Sequence, residues 1–110
     1  MTETEFHQHV DALFIAIEEA LDNYSDVDFD YESAGGILSI ILPDQSKIIL
    51  NKQPPLLQIW MATKFNGHHF NFDGKHWIDE RFGGELFAFL DEALAKQAGV
   101  PVTLSVDTYL

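Results

Sequence analysis

Cysteine is missing altogether from the 110 residues. Its absence excludes disulfides, thiolate zinc sites, cysteine nucleophiles and cysteine-ligated iron–sulfur clusters together. Basic residues are scarce: six Lys and Arg stand against 18 Asp and Glu, and none precedes Lys47. Phosphate backbones and anionic membranes repel such a chain, so neither nucleic acid nor a membrane is expected as partner. No apolar run approaches the roughly 20 residues needed to span a bilayer. The opening MTETEFHQHVDALF lacks the positive n-region and unbroken apolar stretch of a signal peptide, so a soluble, cytoplasmic protein is expected. No nucleophile motif, phosphate loop or dinucleotide fingerprint occurs, and conventional enzyme catalysis is not expected. Gly35-Gly36 and Gly83-Gly84 are too short to cradle phosphate and suit turns.

What is present is enough to fold. With 46% hydrophobic residues, 13% aromatics and 110 residues, the chain is long and apolar enough for one domain, spanning 1–110, with its own core. The charge is badly distributed for mere solubility. The first 46 residues hold 11 carboxylates, while the remaining 64 hold seven acids and six bases. Like charges crowded on one surface cost on the order of 1 kcal/mol per pair at about 4 Å in water before salt screens them. A bound cation or a basic partner would relieve that cost.

Residues 3 to about 23 read as an amphipathic helix, with Phe6, Val10, Leu13, Phe14, Ile17 and Leu21 at helical spacing. Thr2 or Thr4 is placed to cap it, with Glu5 in the first turn. From Ser25 to Glu32 acids and large apolar residues alternate, which predicts a half-buried strand with Val27, Phe29 and Tyr31 inward. Short turns at Ala34-Gly35-Gly36 and Pro43-Asp44-Gln45-Ser46 separate strands over Ile37–Leu42 and Lys47–Asn51. Further strands are expected over Leu57–Lys64, His68–Phe72 and His76–Ile78, with turns at Asn66-Gly67 and Asp73-Gly74. A second helix runs from Gly83 or Gly84 to Ala98, stopped by Gly99 and Pro101, and Val102 to Tyr109 is an extended tail. This order predicts an α+β two-layer sandwich: both helices on one face of a five- or six-stranded antiparallel sheet.

On the first helix Glu3, His7, Asp11, Glu18 and Asp22 fall on one stripe beside the apolar face, with Glu19 further round. Asp26, Asp28 and Asp30 face outward from the expected strand and extend the ridge. Solvation accounts for any one of these residues, but a solvating face normally mixes signs, so the set points to binding. Oxygen ligands on an open surface suit hard cations. Asp26, Asp28 and Asp30 match the first ligand positions of an EF-hand loop, yet Tyr31 stands where Gly is needed and Ile37 where Glu is needed. A strand would hold these carboxylates in a row about 6.6 Å apart, giving weak, multi-site, poorly selective binding.

In the strand Leu57–Lys64, alternation sends Leu57, Ile59 and Met61 to the core and Gln58, Trp60, Ala62 and Lys64 to solvent. A tryptophan on an open sheet face often marks a protein interface. Asn51, Lys52 and Gln53 lie near in sequence and are expected to frame it. His69 and Asn71 share that face. Adjacent strand residues point to opposite sides, so His68 and His69 cannot chelate one ion together. His9 and His76 read as surface histidines, and Trp77 as a core anchor.

The stretch Asn51-Lys52-Gln53-x-Pro55-x-x-Gln58-Ile59-Trp60-Met61-Ala62-Thr63, followed by Gly67-x-His69-Phe70, resembles the signature of frataxins. Glu5, Phe6, His7 and Asp11, with Glu18, Glu19, Leu21 and Asp22, resemble the bacterial branch, and the similarity spans residue 3 to about residue 100. The resemblance implies weak, multi-site surface binding of Fe2+ and Fe3+, for which other divalent cations substitute. It assigns the metal to Glu18, Glu19, Asp22, Asp26, Asp28 and Asp30, with His7 and Asp11 as further candidates. It also implies docking to the cysteine desulfurase and iron–sulfur scaffold protein, through Glu18, Glu19, Asp22, Lys52, Gln58 and Trp60. The chain is then an adaptor that regulates cluster assembly, monomeric unless iron drives oligomers. Iron storage or ferroxidase-type handling is the alternative. Asn23 departs from the pattern, since an acid is common there in bacterial relatives.

Overall fold

The computed structural model describes residues 1–104. Helix α1 (Glu3–Asp22) begins at a reciprocal cap: Thr2 Oγ1 accepts the Glu5 amide at 3.1 Å and Glu5 Oε1 accepts the Thr2 amide at 2.8 Å. Such a box satisfies two of the helix's unpaired donors. Strands follow in a meander: β1 (Asp30–Ala34), β2 (Ile37–Ile41), β3 (Lys47–Gln53), β4 (Gln58–Ala62), β5 (Gly67–Phe72) and β6 (Trp77–Asp79). Each pairs antiparallel with its neighbour in sequence, giving the order β1-β2-β3-β4-β5-β6. Helix α2 (Leu86–Ala98) completes the layer over one face of the sheet. The two-layer α+β sandwich expected from the pattern is the observed fold.

Its core is the meeting of two helical stripes with alternate strand residues. Phe6, Leu13 and Ile17 of α1 and Leu86, Leu90 and Leu94 of α2 are fully buried against Leu38, Ile40, Leu50, Ile59 and Phe70. Each such side chain contributes about 1.5–3 kcal/mol of transfer free energy. Trp77 is enclosed between Phe6 and Phe72, so the core-anchor reading holds. His9 is half-buried rather than a plain surface residue, its ring 4.5 Å from that of Phe72.

Boundaries moved where local chemistry overrode periodicity. The first strand starts at Asp30 rather than Ser25, because Asp30 pairs with Ile41 and β2 ends there. Beyond it Pro43 to Ser46 turn the chain, with the Leu42 amide donating to Ser46 O at 2.9 Å, so residues 25–29 have no strand to pair with among the described residues. Val27 and Phe29 still pack on the core, which is why alternation persists without a ladder. Strand β4 starts one residue late because Leu57 closes the Pro54–Leu56 turn in the left-handed region, at φ 53°. Helix α2 begins after Glu85, whose carboxylate caps the Phe87 amide at 2.9 Å. Of the expected tail, Val102 and Leu104 are buried and Leu104 N donates to Asp91 Oδ1 at 3.0 Å; residues 105–109 lie outside the described residues.

Candidate functional site

The ridge divides into two ends with different electrostatics. At the N-terminal end a lysine reaches in from the sheet. Alternation along β3 puts Lys52 on the helix-facing side with Ile48 and Leu50. Its ammonium lies 2.7 Å from Asp11 Oδ1 and 3.1 Å from His7 Nδ1. His7 Nε2 stands 3.6 Å from Glu3. An ammonium has only donors, so both contacts are accepted by the ridge. Lys52 therefore does not frame Trp60: the two point to opposite faces, and Lys52 is already committed to His7 and Asp11.

Among the described residues the other end has no such cation. Glu18, Glu19 and Asp22 occupy the last turns of α1, where the helix carries its partial negative charge and no basic residue is present. Asp30 opens β1. The Tyr31 hydroxyl donates to Asp22 Oδ2 at 2.9 Å. That bond, burial, and the charges of Asp22, Glu18 and Asp30 push the Tyr31 pKa up, so these carboxylates act on one spot. Among the described residues no Lys, Arg or His forms an ion pair with Glu18, Glu19, Asp22, Asp26, Asp28 or Asp30.

Asp26 and Asp28 differ from expectation in placement. Both are exposed on the irregular connection between α1 and β1 and not on a strand, so the even row of carboxylates does not form. Among the described residues no three His, Asp or Glu converge to hold one ion. The geometry offers a field of oxygen ligands with room to rearrange, not a fixed coordination shell.

The second feature lies on the open face of the sheet. Cross-strand register places Ile37, Asn51, Trp60 and His69 in one row, and Gln53, Gln58, Asn71 and Ile78 in the next. Trp60 stacks flat on His69, with ring centroids 4.2 Å apart and planes at 9°. Its indole N–H donates to Gln58 Oε1 at 2.8 Å, and the Gln58 amide donates to Glu80 at 2.7 Å and Asn71 at 3.2 Å. Gln58, expected in solvent, is thus almost wholly covered by its partners. The network fixes the tryptophan in one orientation while leaving it half-exposed. Glu80 escaped the sequence reading; it lies just past β6, and only the register brings it beside Gln58.

A frataxin-like domain model matches residues 1–100. The chain belongs to the frataxin family. Relatives named iron-sulfur cluster assembly protein CyaY include that of Pseudoalteromonas atlantica, 54% identical and covering 94% of both chains. That of Colwellia psychrerythraea is 47% identical over 96% of this frataxin and 98% of its own length. A solved frataxin from Psychromonas ingrahamii superposes with a TM-score of 0.87 at 39% identity, covering 96% of this chain and 99% of that one. The trimeric yeast frataxin complexed with ferrous matches at TM-score 0.66 and 28% identity, over 86% of each chain. No helix of this frataxin is long and apolar enough to cross a membrane, among the described residues.

Proposed function

We propose that this frataxin is an iron-binding adaptor that regulates iron–sulfur cluster assembly. The observation that carries the reading is the unneutralised acid at the C-terminal end of α1. Glu18, Glu19 and Asp22 crowd the negative end of the helix, beside Asp26, Asp28 and Asp30, with no internal cation among the described residues. Such a patch attracts hard cations weakly and at several positions, and steers a basic protein surface to itself. The relatives' name as cluster-assembly proteins supplies the context, and the ferrous complex of the yeast protein supplies the cargo. Iron is bound here as cargo, as Fe2+ or Fe3+, with other divalent cations able to take its place.

The basic partner is the cysteine desulfurase, met by Glu18, Glu19 and Asp22. Trp60 and Gln58, held rigid on the open face, meet the scaffold protein. A flat, pre-oriented tryptophan suits the centre of an interface because little side-chain freedom is lost on docking. The protein acts from the cytoplasm as a monomer, and iron bridging two patches is the route to larger assemblies. Catalysis is not part of its role.

The deciding experiment is binding to a bacterial cysteine desulfurase, native chain against a Glu18→Lys, Glu19→Lys, Asp22→Lys variant. Salt-sensitive binding by the native protein, lost in the variant, establishes the patch as a docking surface. If neither binds while iron still does, the protein handles iron by itself, as a store or ferroxidase, and the adaptor reading falls.

A further inference from the structure

A cavity of about 250 Å³ opens between the β4–β5 turn, the loop after β6 and one flank of α2. It shares no residue with the ridge, Trp60 or Gln58. Its walls are Phe65, Phe82 and Phe89, with His68 set among them and Glu92 and Lys96 on the rim. Phe65 and Phe82 are 53% and 65% exposed. Single exposed aromatics are ordinary, but two converging on one concavity are not explained by chance surface composition.

One buried carboxylate builds this arrangement. Asp79 lies opposite Phe70 on the helix-facing side of β6 and is 2% exposed. Its Oδ1 accepts the amides of Arg81 at 2.8 Å and Phe82 at 2.7 Å, which bends the loop and holds Phe82 over the cavity. Its Oδ2 lies 2.8 Å from His68 Nδ1. Burial pushes the Asp79 carboxyl up, but the Phe82 amide, the His68 ring and the Arg81 amide outweigh it and hold the group below the ordinary carboxylate range. An ionised partner only accepts, so in neutral His68 the proton sits on Nδ1 and Nε2 keeps its lone pair. His68 is 92% buried against Phe89, 4.4 Å away, and its Nε2 has no hydrogen-bond partner among the described residues. His68 lines the cavity, so this open acceptor is offered to a donor on whatever fills it.

We propose that this cavity binds a small neutral aromatic molecule with one hydrogen-bond donor, of the phenol or indole class. The ring lies among Phe65, Phe82 and Phe89, and its O–H or N–H donates to His68 Nε2. Neutrality follows from the rim, where Lys96 and Glu92 already pair with each other at 2.9 Å. Size follows from the volume, which falls below the usual range for cofactor sites and admits one or two rings.

The test uses p-cresol and toluene, which share ring and methyl and differ only in the donor. Titrated into the native protein and followed by amide NMR, p-cresol shifts Phe65, Phe82 and Phe89 saturably and binds about fivefold tighter than toluene, the worth of one neutral hydrogen bond. His68→Phe keeps the apolar wall and abolishes that preference. Should that variant unfold for want of the Asp79 contact, Phe82→Ala alters only an exposed side chain and weakens both ligands. Shifts that never saturate, equal affinity for the two probes, or an unchanged response in Phe82→Ala would overturn the proposal.

Discussion

The two ends of the acidic ridge are built from the same helix and the same residue types, yet only one is electrically finished. At the His7–Asp11 end an ammonium from β3 sits 2.7 Å from the carboxylate, so that end carries its own counter-ion. At the Glu18–Asp22 end the carboxylates meet the negative pole of α1, further acids on the following connection, and no internal cation among the described residues. A protein under pressure only for solubility has no reason to neutralise one end and load the other. The contrast teaches that a count of acids on a helix face does not locate a cation site; what matters is which of them the fold has already paired.

The largest effect comes from erasing the contrast at the open end. A Glu18→Gln, Glu19→Gln, Asp22→Asn variant keeps every side chain's shape and the acceptor for Tyr31, and removes repulsion worth on the order of 1 kcal/mol at low salt. That corresponds to a rise in Tm of about 4–8 °C for a domain of this size. In the native protein, moderate salt or a divalent cation reproduces part of the same rise, by screening or by binding the folded state. In the variant the divalent effect shrinks to that of simple salt. Calorimetric scans of both proteins with and without Mn2+ decide it: a native melting curve indifferent to salt and Mn2+ would remove the strain from the account.

A smaller effect comes from opening the closed end. Lys52→Met leaves the apolar stem and withdraws the ammonium from Asp11 and His7. Because Asp11 is 62% exposed, the ion pair itself stabilises little; a loss of about 0.5 kcal/mol, or roughly 2–4 °C, is expected. The sharper readout is paramagnetic. In the native protein Mn2+ broadens amide signals around Glu18 to Asp30 and spares His7 and Asp11; in Lys52→Met the broadening spreads to both. Equal broadening of the two ends in the native protein would show that the lysine does not guard its end.

Most of the architecture could be read from the chain because periodicity reports which residues are buried. The apolar stripe of α1, the glycine turn between β1 and β2, and the inward residues of β4 follow directly from it. Periodicity does not report hydrogen-bond pairing. Val27 and Phe29 keep the alternation of a strand and pack on the core without pairing to a strand among the described residues, so alternation alone places Asp26 and Asp28 on the wrong kind of element. Lys52 was legible in principle, since Ile48, Leu50 and Lys52 share a side of β3; proximity in sequence to Trp60 obscured it. Gln58, Glu80 and the His68–Asp79 pair depend on register across separate strands, and a single chain carries no signal for that.

The finest test uses Tyr31 as a reporter of the open end. Its hydroxyl donates to Asp22, and that bond, burial and the neighbouring charges of Asp22, Glu18 and Asp30 raise its pKa. A folded-state value above the unfolded one means that the neutral phenol contributes stability in full below about pH 10, lost as pH rises through the folded value. Asp22→Asn keeps an acceptor and removes a charge, so Tyr31 should titrate closer to its ordinary value. A divalent cation held at Glu18, Asp22 and Asp30 should do the same without mutation, since it cancels the field that disfavours the phenolate. Ring carbon chemical shifts of Tyr31 followed through alkaline titration measure both. The two ends predict opposite behaviour here: Lys52→Met, acting on the far pair, should leave the Tyr31 titration where it was. A cation that stabilises the fold yet leaves Tyr31 unmoved would have to bind away from Asp22, and the open end of the ridge would lose its claim as the site.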